Sequence, residues 1–212
     1  MAPHTPASIR RVTIGLLIGM ALTLPAWWLG RPRETPPTAS PVAIHPGELV
    51  YDSAEPSLRL ALVYPATWRV ETERGRLERY RKIRLLGYRN QANTYTAFIA
   101  IRSRPLQAAG GFHEHVGGLL RRYTSRLLTG TVIERQRTMP VGGTPAADLV
   151  VSYTIPPLTR HGGPIVEIPV KTRTVFLTRG SYAYELVYSA DAREYAQHEP
   201  VFTRLLETLR FE

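Results

Sequence analysis

The stretch KTRTVFLTRGSYAYELVYS, residues 171–189, predicts two β-strands joined by a tight turn. β-Branched and aromatic residues dominate both halves of it, and these residue types are enriched in strands. Arg179-Gly180-Ser181 separates the halves and has the composition of a short hairpin connection. Strands joined by so short a loop must run antiparallel, since a parallel pair needs a long crossover. The sequence therefore predicts an antiparallel sheet built around this hairpin.

The same strand pattern recurs on the N-terminal side of the hairpin. In residues 57–64, Leu58, Leu60 and Leu62 share one face and Arg59 lies opposite, which is the period-two pattern of a half-buried strand. A proline then ends this strand, because proline cannot continue a central ladder. The full set of predicted strands comprises residues 57–64, 68–72, 79–87, 94–101, 131–137, 147–155, 165–178 and 182–189.

Two helices are predicted among these strands. Residues 111–128 place apolar side chains at helical spacing, which predicts one apolar stripe made of Phe112, Val116, Leu119, Leu120, Tyr123 and Leu127. A second helix is predicted to open at Pro200, because proline suits the first helical position. Its apolar face contains Val201, Phe202, Leu205, Leu206 and Leu209. Consecutive strands with few helices between them indicate an α+β domain, with an antiparallel β-sheet flanked by helices.

An apolar run without charge, Val12 to Gly30, follows Arg10-Arg11 near the start of the chain. Its length meets the requirement of a transmembrane helix, which is about 20 residues. A cleaved secretory signal has a shorter apolar stretch and a small-x-small cleavage site, which Leu24-Pro25-Ala26 does not provide. Trp27-Trp28 suit a membrane–water boundary. A retained signal anchor is therefore favoured over secretion after signal cleavage.

The apolar run divides the chain into four segments. Residues 1–11 are predicted to be a short cytoplasmic tail and residues 12–30 the transmembrane anchor. Residues 31–48 are rich in proline, which favours an extended, semi-rigid linker. Residues 49–212 contain no cysteine and are numerous enough to form one hydrophobic core without disulfides. The expected location is the cytoplasmic membrane, single-pass, with the domain on the extracytoplasmic side.

Positive charge is concentrated in one part of the domain. The chain has a formal net charge of +10, and nine basic residues but only one acidic residue lie between Arg74 and Arg104. A field of this sign attracts acidic protein surfaces or anionic lipid headgroups. A solvated face of two strands is the alternative explanation. Nucleic acid is not expected as a partner in an exported domain. The predicted partner-binding residues are Arg79, Arg81, Lys82, Arg84 and Arg89.

Motifs for catalysis or metal binding are sparse. The two histidines of His113-Glu114-His115 point in different directions on a helix, so they cannot both face one ion. Asp148 and Glu167 lie in predicted strands, where a salt bridge with an arginine across the sheet is favoured over acid–base catalysis. The chain has no phosphate-cradling glycine loop, dinucleotide fingerprint or nucleophile elbow. We therefore expect no catalytic residue, no cofactor and no metal.

Several motifs resemble the PsbP-like family, named after the extrinsic P-subunit of photosystem II. The first motif, Tyr64-Pro65-x-x-Trp68, follows an alternating strand, and the second, Gly143-Thr144-Pro145-Ala146-Ala147, enters another strand. The last two motifs in chain order are Gly180 to Leu186 and Pro200 to Phe211. The resemblance covers about residues 49–212. It implies an α/β/α sandwich around an antiparallel sheet, and members that are mostly non-enzymatic binding proteins on the extracytoplasmic or lumenal side. This chain departs from the cyanobacterial pattern because it has no cysteine for a lipid anchor.

These observations predict a membrane-anchored, extracytoplasmic, non-catalytic binding or assembly module. Its basic surface would contact an acidic membrane-protein partner or anionic lipid. The alternative is an extracytoplasmic enzyme whose site is not recognisable from sequence. A deep pocket that contains Asp148, Glu167 or a histidine with a strongly shifted pKa would favour this alternative.

Overall fold

The computed structural model describes residues 43–53, 55, 58–74, 81–87, 96–106, 112–124, 129–155 and 167–211. The elements within them, in chain order, are β1 (Glu48–Ser53), β2 (Leu60–Pro65), β3 (Arg69–Arg74), β4 (Arg81–Leu86), β5 (Ala97–Pro105), α1 (Phe112–Tyr123), β6 (Thr129–Val141), β7 (Thr144–Ile155), β8 (Ile168–Arg179), β9 (Tyr182–Asp191), α2 (Tyr195–Thr208) and β10 (Arg210–Phe211). The predicted anchor, residues 12–30, lies outside the described residues. Within those residues, no helix combines the length and the apolar character that a membrane span requires.

Seven of the described strands form one sheet in the order β3-β4-β5-β9-β8-β7-β6, and β1, β2 and β10 form a second sheet. All of the paired strands run antiparallel. The hairpin expected at residues 171–189 is present, because β8 and β9 pair up to Arg179 opposite Tyr182. Gly180 in its turn has a φ of 56°, which a residue with a side chain adopts only at a cost. The predicted antiparallel sheet is therefore confirmed.

The two helices pack on opposite faces of the seven-stranded sheet. Side chains alternate along β8, so Val175 and Leu177 join the main core while Phe176 faces the other side. Helix α2 contributes Phe202, which is completely buried, to the main core. Helix α1 packs against Phe176 through Leu119. The prediction of a sheet flanked by helices is confirmed for the described residues.

Helix α1 follows the predicted apolar stripe. Leu119 and Tyr123 are its buried residues, and Leu120 packs against a cluster that contains Leu149 of β7. The hydroxyl of Tyr123 lies 2.9 Å from Thr174 Oγ1 on β8, a buried contact that satisfies both polar groups. Residues 125–128, at the end of the predicted helix, lie outside the described part of the chain. The face of α1 that rests on the sheet is the face that the sequence predicts.

The small sheet covers α2 from its other side. Leu60 of β2 lies in the main core with α2, and the N–H of Val63 donates to Thr208 Oγ1 at 3.1 Å. Arg204 of α2 contacts Glu48 of β1, with Nε 3.0 Å from Oε1. The strands predicted from the sequence include neither β1 nor β10. Strand β10 is very short, and β1 has no clear alternation of buried and exposed residues from which to recognise it.

Helix α2 begins at Tyr195, so Pro200 lies inside it, and the prediction that Pro200 opens this helix is wrong. A proline here has no N–H to donate and therefore costs one backbone hydrogen bond. The additional turn is nevertheless held in the core, because Tyr195 is only 5% exposed. The hydroxyl of Tyr188 also donates to the carbonyl oxygen of Tyr195 at 2.7 Å. Tertiary packing thus overrides the local preference of proline for the first position.

Candidate functional site

The residues predicted to bind a partner are only partly within the described structure. Arg79 and Arg89 lie outside it, and Arg81 is described by its backbone alone, as the first residue of β4. Lys82 and Arg84 lie on β4, between residues of the main core. Because Ile83 and Leu85 face that core, Lys82 and Arg84 lie on the opposite face of the sheet, where α1 packs.

Acidic residues of β3 lie next to this part of β4. The register places Glu71 opposite Arg84, and Glu73 opposite Lys82. Opposite charges at paired positions attract each other across an antiparallel pair. This arrangement cannot be predicted from the sequence alone, because it depends on the register of β3 against β4. Glu71, which contacts Arg69 on its own strand, therefore places one negative charge beside Arg84, and the role predicted for β4 stays a prediction.

The basic surface continues from β4 onto β5 and α1. On β5, Ile99 and Ile101 face the main core, so Arg102 and Arg104 lie on the α1 side. The register pairs Arg102 directly with Lys82. Two further arginines come from the last turn of α1. We call this surface the basic face and define it as Lys82, Arg84, Arg102, Arg104, Arg121 and Arg122.

A cleft of about 260 Å³ lies within the basic face, between α1 and the sheet. A smaller hollow of about 150 Å³ shares part of its lining and includes Arg102. Its lining includes the side chains of Arg104, Glu114, His115, Arg121, Arg122, Phe176 and Glu185. Strands β5, β8 and β9 and helix α1 therefore all contribute to one concave site.

Glu185 of β9 is held by arginines from two different elements. Arg122 Nη1 of α1 donates to Glu185 Oε1 at 2.7 Å, and Arg102 Nη1 of β5 lies 3.8 Å from the same oxygen. The side chain of Glu185 is 13% exposed, whereas that of Arg122 is 51% exposed. The arginines here therefore already bind one carboxylate, through a charge-assisted hydrogen bond from Arg122 and a longer ion pair with Arg102.

His115 is fixed in the cleft by Arg104. Nη2 of Arg104 lies 3.0 Å from His115 Nδ1. Because a guanidinium group can only donate, Nδ1 must accept, and the proton of the neutral imidazole is on Nε2. The ring of His115 also packs on Phe176, with centroids 5.4 Å apart. His113, the other histidine of the motif, instead contacts the ring of Phe112.

Two buried donors, one beside the cleft and one beside the adjoining hollow, lack an acceptor. Nε of Arg102 and Nε2 of His115 are both buried and have no hydrogen-bond partner among the described residues. A buried donor without a partner costs about 1–3 kcal/mol, so such groups are uncommon. Within the same described residues, no group of three His, Cys, Asp or Glu side chains could hold a metal ion.

Asp148 belongs to a separate ion network on the α2 side of the sheet. Its carboxylate is completely buried and accepts from Arg173 Nε at 2.9 Å and from Arg137 Nε at 3.0 Å, while Arg135 Nη2 lies 3.2 Å away. Burial alone raises the pKa of Asp148, but hydrogen bonds and charge from these arginines hold the pKa below its ordinary value. The predicted cross-sheet salt bridge is confirmed, and a carboxylate enclosed in this way is not open to a substrate.

Glu167 does not join this network. It precedes β8 instead of lying within a strand, and it is exposed. No ion pair links it to another described residue. The prediction that Glu167 lies in a strand is therefore wrong, because β8 begins at Ile168.

Comparisons with known proteins identify the fold. No protein-family model matches the chain, and no curated protein sequence is significantly similar to it. The solution structure of cyanobacterial PsbP (CyanoP) from Synechocystis sp. PCC 6803 superposes with a TM-score of 0.52 at 10% identity, covering 84% of this chain and 100% of that one. The domain thus belongs to the class of antiparallel sheets flanked by helices, and within that class it has the PsbP-like fold. The resemblance expected from the sequence motifs is confirmed at the level of the fold.

Two further solved structures are similar at lower TM-scores. Protein PA94 of Pseudomonas aeruginosa, described as a putative regulator of unknown function, gives 0.47 at 16% identity, over 76% of this chain and 94% of that one. The Ran-binding protein Mog1p of Saccharomyces cerevisiae gives 0.48 at 10% identity, over 77% and 95%.

Proposed function

We propose that this domain is a non-catalytic binding module that contacts an acidic protein partner through the basic face. The observation that carries the proposal is the convergence of six cationic side chains from β4, β5 and α1 on one face of the sheet. The acidic residues placed beside them, Glu71, Glu114 and Glu185, are fewer. An excess of one charge sign on one surface steers and orients an oppositely charged partner.

The shape and chemistry of the surface favour a protein partner over a lipid membrane. The basic face is concave at the cleft, whereas a membrane surface is contacted most fully by a flat or convex patch. Arginine recognises carboxylates by paired hydrogen bonds, and Arg122 already binds Glu185 in this cleft. An acidic side chain of a partner would therefore meet donors of the kind that hold Glu185.

Removing charge from the basic face is expected to weaken binding of an acidic peptide. The variant Arg84→Gln/Arg121→Gln, in the full-length chain, should bind a fluorescent oligoglutamate peptide about two- to thirtyfold more weakly, since each surface charge pair contributes about 0.2–1 kcal/mol. Fluorescence anisotropy at low salt measures the dissociation constant.

Arg193→Gln is the matched control, because Arg193 is an exposed arginine on the connection between β9 and α2. It should bind the peptide as the unchanged chain does. Equal affinity of the double variant would contradict the proposal. Vesicles containing phosphatidylglycerol form the second arm. If the chain binds them in preference to the peptide, the basic face is a lipid-binding surface instead.

We further propose that residues 12–30 anchor this module in the cytoplasmic membrane, with the domain outside the cytoplasm. The support is the uncharged length of the run and its flanking arginines and tryptophans. The full-length chain should then stay with the membrane pellet after carbonate extraction, and deletion of residues 12–30 should release it. Recovery of a mature chain that begins after this run would show secretion by signal cleavage instead.

A further inference from the structure

We propose that the cleft between α1 and the sheet is a binding site for a small oxyanion, either a phosphate group or a short dicarboxylate. The inference goes beyond the proposed protein partner, since it concerns a free ligand and only the cleft. It begins from the two buried donors, Nε of Arg102 and Nε2 of His115, which have no acceptor among the described residues. Arg102 lines the hollow and His115 lines the adjoining cleft, and the two cavities share Arg104, Arg122, Phe176 and Glu185. Both missing partners are acceptors, so one ligand with several acceptor oxygens, bound where the two cavities meet, would satisfy both.

The charge of the cleft indicates the sign of the ligand. Four arginines contribute positive charge, namely Arg102, Arg104, Arg121 and Arg122. Two carboxylates, Glu114 and Glu185, offset half of it, and His115 is neutral when its Nδ1 accepts from Arg104. Two positive charges therefore remain, and a ligand with two negative charges would balance them. Guanidinium groups suit this role because their planar donors match the oxygens of carboxylate and phosphate.

The dimensions of the cleft limit the size of the ligand. The cleft, of about 260 Å³, and the adjoining hollow, of about 150 Å³, are each below the range of about 300–1,000 Å³ that is typical of sites for larger organic molecules. The wall of the cleft includes the ring of Phe176, against which the imidazole of His115 is packed at 5.4 Å. A compact ligand with oxygens on its surface fits these limits, and a large apolar one does not.

The site has the positional rigidity that specific binding requires. Arg102 lies on a central strand of the sheet, opposite Glu185 of β9. Glu185 is in turn held by Arg122 of α1 at 2.7 Å. Arg104 is similarly fixed through its contact with His115 at 3.0 Å. The donors are therefore arranged by contacts between the helix and the sheet before any ligand binds, which lowers the entropy cost of binding.

Titration of the full-length chain in an uncharged detergent tests this proposal. The probes are inorganic phosphate and succinate, each at millimolar concentration and with sodium chloride added to keep the ionic strength constant. Chemical shifts of backbone amides, followed by nuclear magnetic resonance, give the dissociation constant and the location of binding. We expect saturable shifts at residues that line the cleft, for at least one probe. Saturable shifts with phosphate but not with succinate identify a phosphate site. Saturable shifts with succinate identify a carboxylate site.

Two variants each remove one unpartnered donor. Arg102→Met keeps much of the length of the side chain, and His115→Phe keeps an aromatic ring against Phe176. Each should weaken binding by about 10- to 100-fold, the range expected for loss of one hydrogen bond to a charged ligand. Arg193→Gln should leave the dissociation constant unchanged.

Two results would overturn the proposal. One is the absence of saturable shifts in the cleft with both probes. The other is an equal loss of affinity in Arg193→Gln and the cleft variants, which would indicate general attraction of anions to a basic protein. The two variants are independent, so misfolding of one, detected by its amide spectrum, leaves the other as the test. Failure of oligoglutamate binding does not affect this outcome, because the probes here are free anions.

Discussion

Asp148→Asn is expected to lower the free energy of unfolding by about 3–5 kcal/mol, measured by urea denaturation of the full-length chain. Asp148 is completely buried, and its charge balances that of Arg173, whose side chain is only 5% exposed. Asparagine keeps the shape of the side chain but removes the charge. Among the described residues, the one carboxylate left to Arg173 would then be that of Glu199, whose oxygen lies 3.2 Å from its Nη1. A buried guanidinium that loses its main counter-charge is costly.

The matched control for this change is Asp191→Asn. Asp191 also pairs with an arginine, Arg193, but the side chain of that arginine is 76% exposed. Exposed ion pairs contribute about 0–1 kcal/mol, so the control should change stability little. If the two variants lose the same stability, burial does not govern the Asp148 network and our explanation of it is wrong.

The same network predicts how stability depends on pH. The arginines hold the pKa of Asp148 in the folded state below its ordinary value of 3.8. A group of this kind stabilises the fold above the pKa of the unfolded state, and its contribution is lost as the pH falls through the lower, folded pKa. The unchanged chain should therefore lose stability more steeply below about pH 4 than Asp148→Asn. Glu48, whose pKa is about 2 because Arg204 donates to it, contributes equally to both proteins.

Trp68→Ala is expected to cost about 3–5 kcal/mol of unfolding free energy, because it leaves a cavity in the main core. Trp68 is 4% exposed and lies edge-on against the ring of His198, with centroids 6.2 Å apart. A Cβ added at Gly87 would lie 3.1 Å from Trp68 Cζ2, which shows how closely the backbone of that residue approaches the indole. The indole therefore connects the end of β4 with α2, and alanine cannot fill this space.

Trp68→Phe is the comparison that separates lost volume from any other effect. A phenyl ring refills part of the cavity, so its loss of stability should be clearly smaller than that of alanine. Circular dichroism during urea denaturation measures both variants without relying on tryptophan fluorescence. Equal losses for alanine and phenylalanine would show that Trp68 stabilises the fold by something other than its volume.

Local signals in the sequence were sufficient for most of the main elements. The turn at Gly180 needs only a residue that tolerates positive φ. The alternation of apolar and polar residues around Ile83 or Val175 indicates which side of each strand is buried. The stripe on α1 similarly marks the face that packs on Phe176. Where a local preference competed with tertiary packing, packing determined the structure. Pro200 favours a helix start, but burial of Tyr195 extends the helix before it.

The candidate site was harder to predict because its residues are distant in the chain. Arg102 and Glu185 are paired by the register of β5 and β9. The sequence of neither strand, taken by itself, specifies that register. The arginines of α1 lie off its apolar stripe, and only the packing of the helix places them over the sheet. The basic surface predicted from the sequence lies on β4 and its surroundings, whereas the cleft combines residues of β5, β8, β9 and α1. The spacing of residues along the chain gives no information about the distance in space between such elements.

By itself, the sequence determined the class of fold, the central hairpin, the amphipathic faces and the excess of positive charge. These are properties of neighbouring residues, since turn chemistry and the period of apolar side chains act over a few positions. Tertiary structure alone decided that Asp148 is enclosed by Arg137 and Arg173, and that Arg102 and His115 line two adjoining cavities. The physical reason is that strand order, register and helix docking follow from burial of the whole core, to which residues far apart in the chain contribute together.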